Sequence, residues 1–251
     1  TSDAGRDASR AASDRGIEVD AIDLNSAMIR RAAARHNKAV QTGRLRFHRM
    51  DMLKIADEFE PESFDALACL GNTLVHLPGP VEIERFLKVS ARILRSGSTG
   101  SRTPGSQAPS RPDRPSGPAG PESAPDSAAN RAHIGSLILQ LLNYDYLLQK
   151  RPKQLPLVET EHVRFEREYS YISGSGTGSK DLRVVFTTRL QVKSTGEVHE
   201  DSIELYPLRR SELETLLESA GFGNFKFYGG FDGSPLEHDS FPLVVAAEPQ
   251  P

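Results

Sequence analysis

The chain has 251 residues, a formal net charge of −3 and a pI near 6.2, which leaves no basic footprint for nucleic acid and offers ample length for a hydrophobic core. Its single cysteine, Cys69, excludes an intrachain disulfide and, within the apolar run 64–70, reads as a small buried hydrophobe in a reducing compartment. No apolar run approaches the ~20 residues that span a bilayer, and the N-terminus lacks a basic-then-apolar secretion pattern, so a soluble cytoplasmic protein is expected.

In chain order, a helix is expected over residues 6–15, after Gly5, which sits where a glycine turn would feed the first helix of a nucleotide-binding fold. Residues 17–23 read as a buried strand closing on a carboxylate, followed by a helix over 26–39, a strand over 44–49 and a strand over 64–70. Such alternation implies an α/β fold with a parallel sheet. A carboxylate at the C-terminal tip of the second strand of that sheet can accept hydrogen bonds from both hydroxyls of a ribose, which makes Asp23 the first candidate for a nucleoside contact. Its alternative role is a turn or helix cap before Asn25.

Pro80 opens a helix over 80–94 whose apolar face is expected to hold Val81, Phe86, Leu87, Ile93 and Leu94. Residues 96–133 are dense in Ser, Pro, Gly and Ala without large hydrophobes and read as a disordered insertion in a surface turn, which loop-closure entropy tolerates. It divides one expected domain into residues 1–95 and 134–251. A strand is expected over 134–142, then an antiparallel meander of strands 162–172, 182–193 and 197–205, within about 160–206. A helix over 210–222 ends at Gly221, which suits a C-terminal cap, and strands 225–228 and 242–247 form a final hairpin.

The chain carries, in this order, Gly5-Arg6 with Val19-Asp20-Ala21-Ile22-Asp23; Asp51-Met52; Cys69-Leu70-Gly71-Asn72-Thr73-Leu74-Val75-His76-Leu77; Leu142-Asn143-Tyr144-Asp145-Tyr146; Leu205-Tyr206-Pro207-Leu208-Arg209-Arg210; and Tyr228-Gly229-Gly230-Phe231-Asp232-Gly233-Ser234-Pro235. With these blocks it resembles the class I S-adenosylmethionine-dependent methyltransferases, and is similar in particular to the glycine and sarcosine N-methyltransferase branch. The resemblance implies a Rossmann-like class I methyltransferase sheet with the antiparallel meander inserted before the last helix. The implied cofactor is S-adenosyl-L-methionine. Thr1 and Asp3 stand where motif glycines would lie and the first strand is absent, so the glycine motif is expected to be truncated or degenerate.

By the same resemblance, Gly5 lets the backbone approach the methionine part of the cofactor, Asp23 holds the ribose with Leu24 beside it, and Asp51 and Met52 bind the adenine. Asn72 and His76 lie near the methyl group. Asn143 and Tyr144 face the substrate, with Asn143 on an amino-acid carboxylate and one of Arg164, Arg167, Arg183 and Arg189 completing the clamp. The residues also admit plainer roles: an N-cap for Asp51, a turn for Asn72, and a structural histidine at His76, which is preferred there. Residues 206–210 and 231–235 are explained by local structure. No histidine or acid cluster has metal-ligand spacing, so no metal is expected.

The implied activity is methyl transfer to a small-molecule acceptor, with an amine favoured and general-base help from Tyr144 or His76 where the acceptor needs it. Neither a nucleic acid nor a membrane is an expected partner, and the oligomeric state is open. Two alternatives remain: a non-catalytic or fragmentary methyltransferase-like protein, suggested by residues 1–5, and an NAD-dependent oxidoreductase, since an acidic strand tip also suits NAD. The last ranks lowest, because no second glycine fingerprint or Tyr-Lys pair accompanies it.

Overall fold

The computed structural model describes residues 16–97, 134–173 and 182–251. Gly5, the expected first helix and residues 98–133 of the expected insertion lie outside them. The fold is α/β. Strand β1 (Val19–Asp23) runs parallel to β2 (Leu45–Arg49), with Asp23 opposite Arg49, and helices α1 (Ser26–Arg35) and α2 (Asn37–Gln41) join them. Asn25 starts α1 by accepting from the amides of Ala27 at 2.9 Å and Met28 at 3.3 Å, which satisfies two donors that have no intrahelical partner. The single helix expected over 26–39 breaks at His36, whose φ of −110° and ψ of 28° leave helical geometry.

β1 was expected to be buried, yet Val19 is 37% exposed and none of the five residues is fully buried. Among the described residues β2 is the only strand paired with it. One face of this pair is held by charge. Asp20 lies opposite Arg46, which donates to it through Nε at 2.8 Å and Nη2 at 2.7 Å, and His48 Nε2 lies 2.7 Å from its Oδ1. The Asp20 side chain is only 9% exposed, and the Arg46 hydrogen bonds hold its carboxyl below the usual carboxylate range. A depressed folded pKa stabilises the fold fully above the unfolded value, near ~3.9, and the stabilisation disappears as pH falls through the folded pKa. Asp20→Asn is therefore expected to cost about 1–3 kcal/mol in urea unfolding at pH 7, with the difference from wild type shrinking below about pH 4.

β3 (Ala66–Cys69) runs parallel to β4 (Ser136–Leu142), which pairs with β10 (Pro242–Pro249), itself antiparallel to β9 (Phe222–Tyr228), giving the order β3-β4-β10-β9. Between β2 and β3 the chain makes a 3-10 turn (Met52–Lys54) and a short helix α3 (Ile55–Glu58). Leu137, Leu139 and Leu141 alternate into the core. Helix α4 (Pro80–Ile93) buries Ile83, Phe86, Leu87 and Ile93. Val81, expected on that face, is 71% exposed: at about 100° per residue it points well away from the stripe that Ile83 begins. Cys69 is buried as expected, and burial pushes its thiol up to about 12.

Helix α5 (Tyr144–Lys150) was not expected and starts where Asn143 caps it. The meander forms its own four-stranded sheet, β5 (Val158–Glu159), β6 (Val163–Ser173), β7 (Leu182–Val192) and β8 (Val198–Leu205), all antiparallel. It joins the body through buried Val184 and Leu205 and through Tyr206 N–H, which donates to Val75 O at 2.9 Å. Helix α6 (Arg210–Ser219) stops before Gly221, whose φ of +87° is the left-handed geometry that a helix end takes most readily with glycine. Among the described residues no helix is long and apolar enough to cross a membrane.

Candidate functional site at the strand tips

The parallel strands point their C-terminal ends to one edge, where open α/β sheets bind ligands. Asp23 ends β1, and Met50 N–H donates to its carbonyl at 3.1 Å, so Asp51, one residue on, stands beside it. Each carboxylate has one oxygen engaged locally. Asp23 Oδ1 accepts from Asn25 N–H at 2.6 Å, and Asp51 Oδ1 from Leu53 N–H at 2.9 Å. The turn and cap roles weighed for these residues are thus present, and among the described residues both Oδ2 atoms remain without a partner. Leu24 is 66% exposed and Leu70, just past β3, 46%. Gly71 (φ +72°) has nothing within 4 Å of where a Cβ would sit. Two available carboxylate oxygens side by side at a strand tip, with exposed Leu24 next in the chain, suit a nucleoside. Met52 follows Asp51 with its side chain partly buried against the core.

Three other expected contacts are arranged differently. Asn72, in left-handed geometry at φ +65°, donates through Nδ2 to Tyr144 Oη at 3.1 Å and accepts at Oδ1 from Leu142 N–H at 3.0 Å. Its own amide donates to Gln140 O at 3.1 Å, while Gly71 N–H donates to Gln140 Oε1 at 2.7 Å. Its side chain therefore latches the loop after β3 to the end of β4 and the start of α5. Tyr144, expected at the substrate, is 1% exposed, and burial pushes its phenol far above the usual range. Asn143, 5% exposed, accepts at Oδ1 from Tyr146 N–H at 3.3 Å and donates through Nδ2 to Ser240 O at 2.9 Å. Both ends of its amide thus have partners within the fold. His76, given a structural role from sequence, is exposed at the end of its 3-10 turn.

Beside Asn143 opens a cavity of ≈ 370 Å³, lined among others by Asp145, Tyr146, Arg210, Glu237 and His238. Tyr146, Glu237 and His238 were not among the candidates read from the sequence. They come from segments some ninety positions apart, brought together when Asn143 N–H donates to Phe241 O at 2.9 Å, and no local pattern announces that pairing. Arg210 is held by Glu214 at 2.8 Å and lies over the Phe227 ring at 4.7 Å. The four arginines expected to clamp a carboxylate each have a partner in the fold, although Arg167 Nε is buried without one among the described residues. Arg164 binds Glu166 at 2.8 Å, Arg167 binds Pro156 O at 2.9 Å, Arg183 binds Pro78 O at 3.3 Å, and Arg189 binds Glu200 at 2.9 Å. Among the described residues no group of three or more His, Cys, Asp or Glu could hold a metal ion.

Residues 3–97 match a protein family described as "Methyltransferase domain". No curated protein matches the chain. An S-adenosylmethionine-dependent methyltransferase from Clostridium acetobutylicum ATCC 824 is similar in structure with a TM-score of 0.64 at 12% identity, covering 93% of this chain and 76% of that one. The CcbJ methyltransferase from Streptomyces caelestis gives a TM-score of 0.65 at 14% identity, covering 95% and 77%. A SAM-bound amino pentose methyltransferase from Micromonospora echinaspora, involved in calicheamicin biosynthesis, gives 0.51 at 14%, covering 93% and 74%. The fold is that of S-adenosylmethionine-dependent methyltransferases, Rossmann-like as expected.

Proposed function

We propose that the protein is an S-adenosylmethionine-dependent methyltransferase whose acceptor is a small-molecule amine. The observation that carries this reading is the pair of strand-tip carboxylates, Asp23 and Asp51, side by side with their Oδ2 atoms available, within the residues that match a methyltransferase domain. Asp23 orients a ribose through its hydroxyls and Asp51 accepts from an adenine amine, with Leu24 and Met52 as the apolar flanks and Gly5 at the methionine end. When bound, the cofactor supplies a methyl already activated as a sulfonium, so the protein needs no nucleophilic side chain. Its residues position the acceptor and exclude water.

The cavity beside Asn143 suits the acceptor. Asp145 and Glu237 line it and attract an ammonium, and His238, in the same lining, is the group proposed to take the proton that the amine sheds before attack. The blocks similar to glycine and sarcosine N-methyltransferases, and the amino sugar named for one structural relative, support an amine over a hydroxyl acceptor.

Thermal unfolding of the full chain with S-adenosylmethionine, S-adenosylhomocysteine and NAD tests the cofactor. A ligand held only by the folded state at a hundredfold its Kd contributes about 2.7 kcal/mol, so a clear rise in midpoint is expected with the two sulfur nucleosides and none with NAD. A rise with NAD alone would favour the oxidoreductase alternative. No rise with any ligand, in a chain that unfolds cooperatively, would favour a non-catalytic protein.

A further inference from the structure

A second cavity, of ≈ 660 Å³, lies at the other end of α5 and includes Arg151, Lys153, Gln154, Glu168, Tyr169 and Tyr171 in its lining. Seven helical residues separate it from the acceptor cavity, a distance on the order of 10 Å. Its walls are fixed by the main chain. Tyr169 N–H donates to Lys153 O at 2.8 Å, Leu155 N–H to Arg167 O at 3.0 Å, and the Tyr171 hydroxyl to Pro152 O at 3.1 Å. Arg151 caps α5 at a φ of +47°, which is uncommon for a residue other than glycine, and its guanidinium lies 5.7 Å from the centre of the Tyr171 ring.

The charges in this cavity are unbalanced. Among the described residues Arg151 and Lys153, both in this lining, pair with no carboxylate. The one carboxylate in the lining, Glu168, accepts from Gln154 Nε2 at 2.9 Å. Two unpaired cations therefore face one carboxylate that an uncharged neighbour already holds, beside a tyrosine ring.

We propose that this cavity is a second ligand site, taking the oxyanion of a small molecule, a carboxylate or a phosphate, between Arg151 and Lys153, with the Tyr171 ring as an apolar wall. Arginine holds such a group with its planar fork, and lysine adds a point charge. The site stands independently of the methyl-transfer reading.

Isothermal titration of the full chain with inorganic phosphate, and separately with benzoate, distinguishes the two sources of oxyanion. Binding of at least one is expected. Arg151→Gly, which keeps the left-handed backbone comfortable, and Lys153→Ala should each weaken it about fivefold or more. Glu168→Gln, which keeps an acceptor for Gln154, should tighten it, an effect that a purely structural role would not produce. Stabilisation by S-adenosylhomocysteine should be unchanged in all three variants, so a failure of the cofactor reading and a failure of this one are read separately. Absence of binding by both anions, or binding indifferent to the Arg151 and Lys153 substitutions, overturns the proposal.

Discussion

Asp23→Ala is expected to lose most affinity for S-adenosylhomocysteine while leaving the fold intact. Asp23 is exposed at the tip of β1, and among the described residues its side chain makes one bond, the 2.6 Å contact from Asn25 N–H, so truncation removes little that the folded state needs. A charged acceptor to a ribose hydroxyl is worth about 1.5–3 kcal/mol, which corresponds to a loss of roughly 10- to 150-fold per hydroxyl contacted. Isothermal titration reads the affinity and urea unfolding the stability, which should change by less than about 1 kcal/mol. Asp23→Asn keeps the local acceptor for the Asn25 amide and should still lose affinity. If both variants bind as wild type does, Asp23 is a turn residue and the nucleoside lies elsewhere.

The second large effect is expected at Asn72, with the opposite balance. Its side chain bonds both Tyr144 Oη and Leu142 N–H, and its φ of +65° suits asparagine or glycine better than alanine. Asn72→Ala should destabilise by about 2–4 kcal/mol, combining two lost hydrogen bonds with a strained backbone. Asn72→Gly loses the bonds but keeps the backbone geometry, so it should recover about 1 kcal/mol of that loss. Tyr144→Phe removes one bond of the same latch and should cost about 1 kcal/mol. Chemical denaturation of the three variants measures each cost. A small effect of Asn72→Ala, with a large loss of cofactor affinity, would return Asn72 to the ligand-facing role that the sequence suggested.

These two residues show why strand tips are harder to read than strands. Both are polar groups at loop starts, and both sit where the family resemblance puts a cofactor contact. Asp23 keeps an oxygen available because its local partner uses only one, whereas the two ends of the Asn72 amide are engaged seventy positions away, Oδ1 by Leu142 N–H of β4 and Nδ2 by Tyr144 Oη of α5. Helix α5 illustrates the same limit from the other side. Residues 143–145 were read as the end of a strand, but Asn143 both caps α5 and bonds Ser240 across the sheet. The helix is short, and its stability rests on a distant loop.

The sequence alone determined the period of each main element, because periodicity and turn chemistry are local. The alternation over β1 to β3, the helix begun by Pro80, the meander strands and the Gly221 stop are all visible there, as is the methyltransferase resemblance. Only the tertiary structure decided which polar side chains remain available to a ligand. Hydrogen bonds between residues far apart in the chain engage Asn72, Asn143 and Tyr144, pairings within and around the meander engage the four expected arginines, and one oxygen each of Asp23 and Asp51 is left without a partner among the described residues. A buried donor or acceptor must be satisfied by whatever packs against it, and what packs against it is set by the fold and not by its neighbours in sequence.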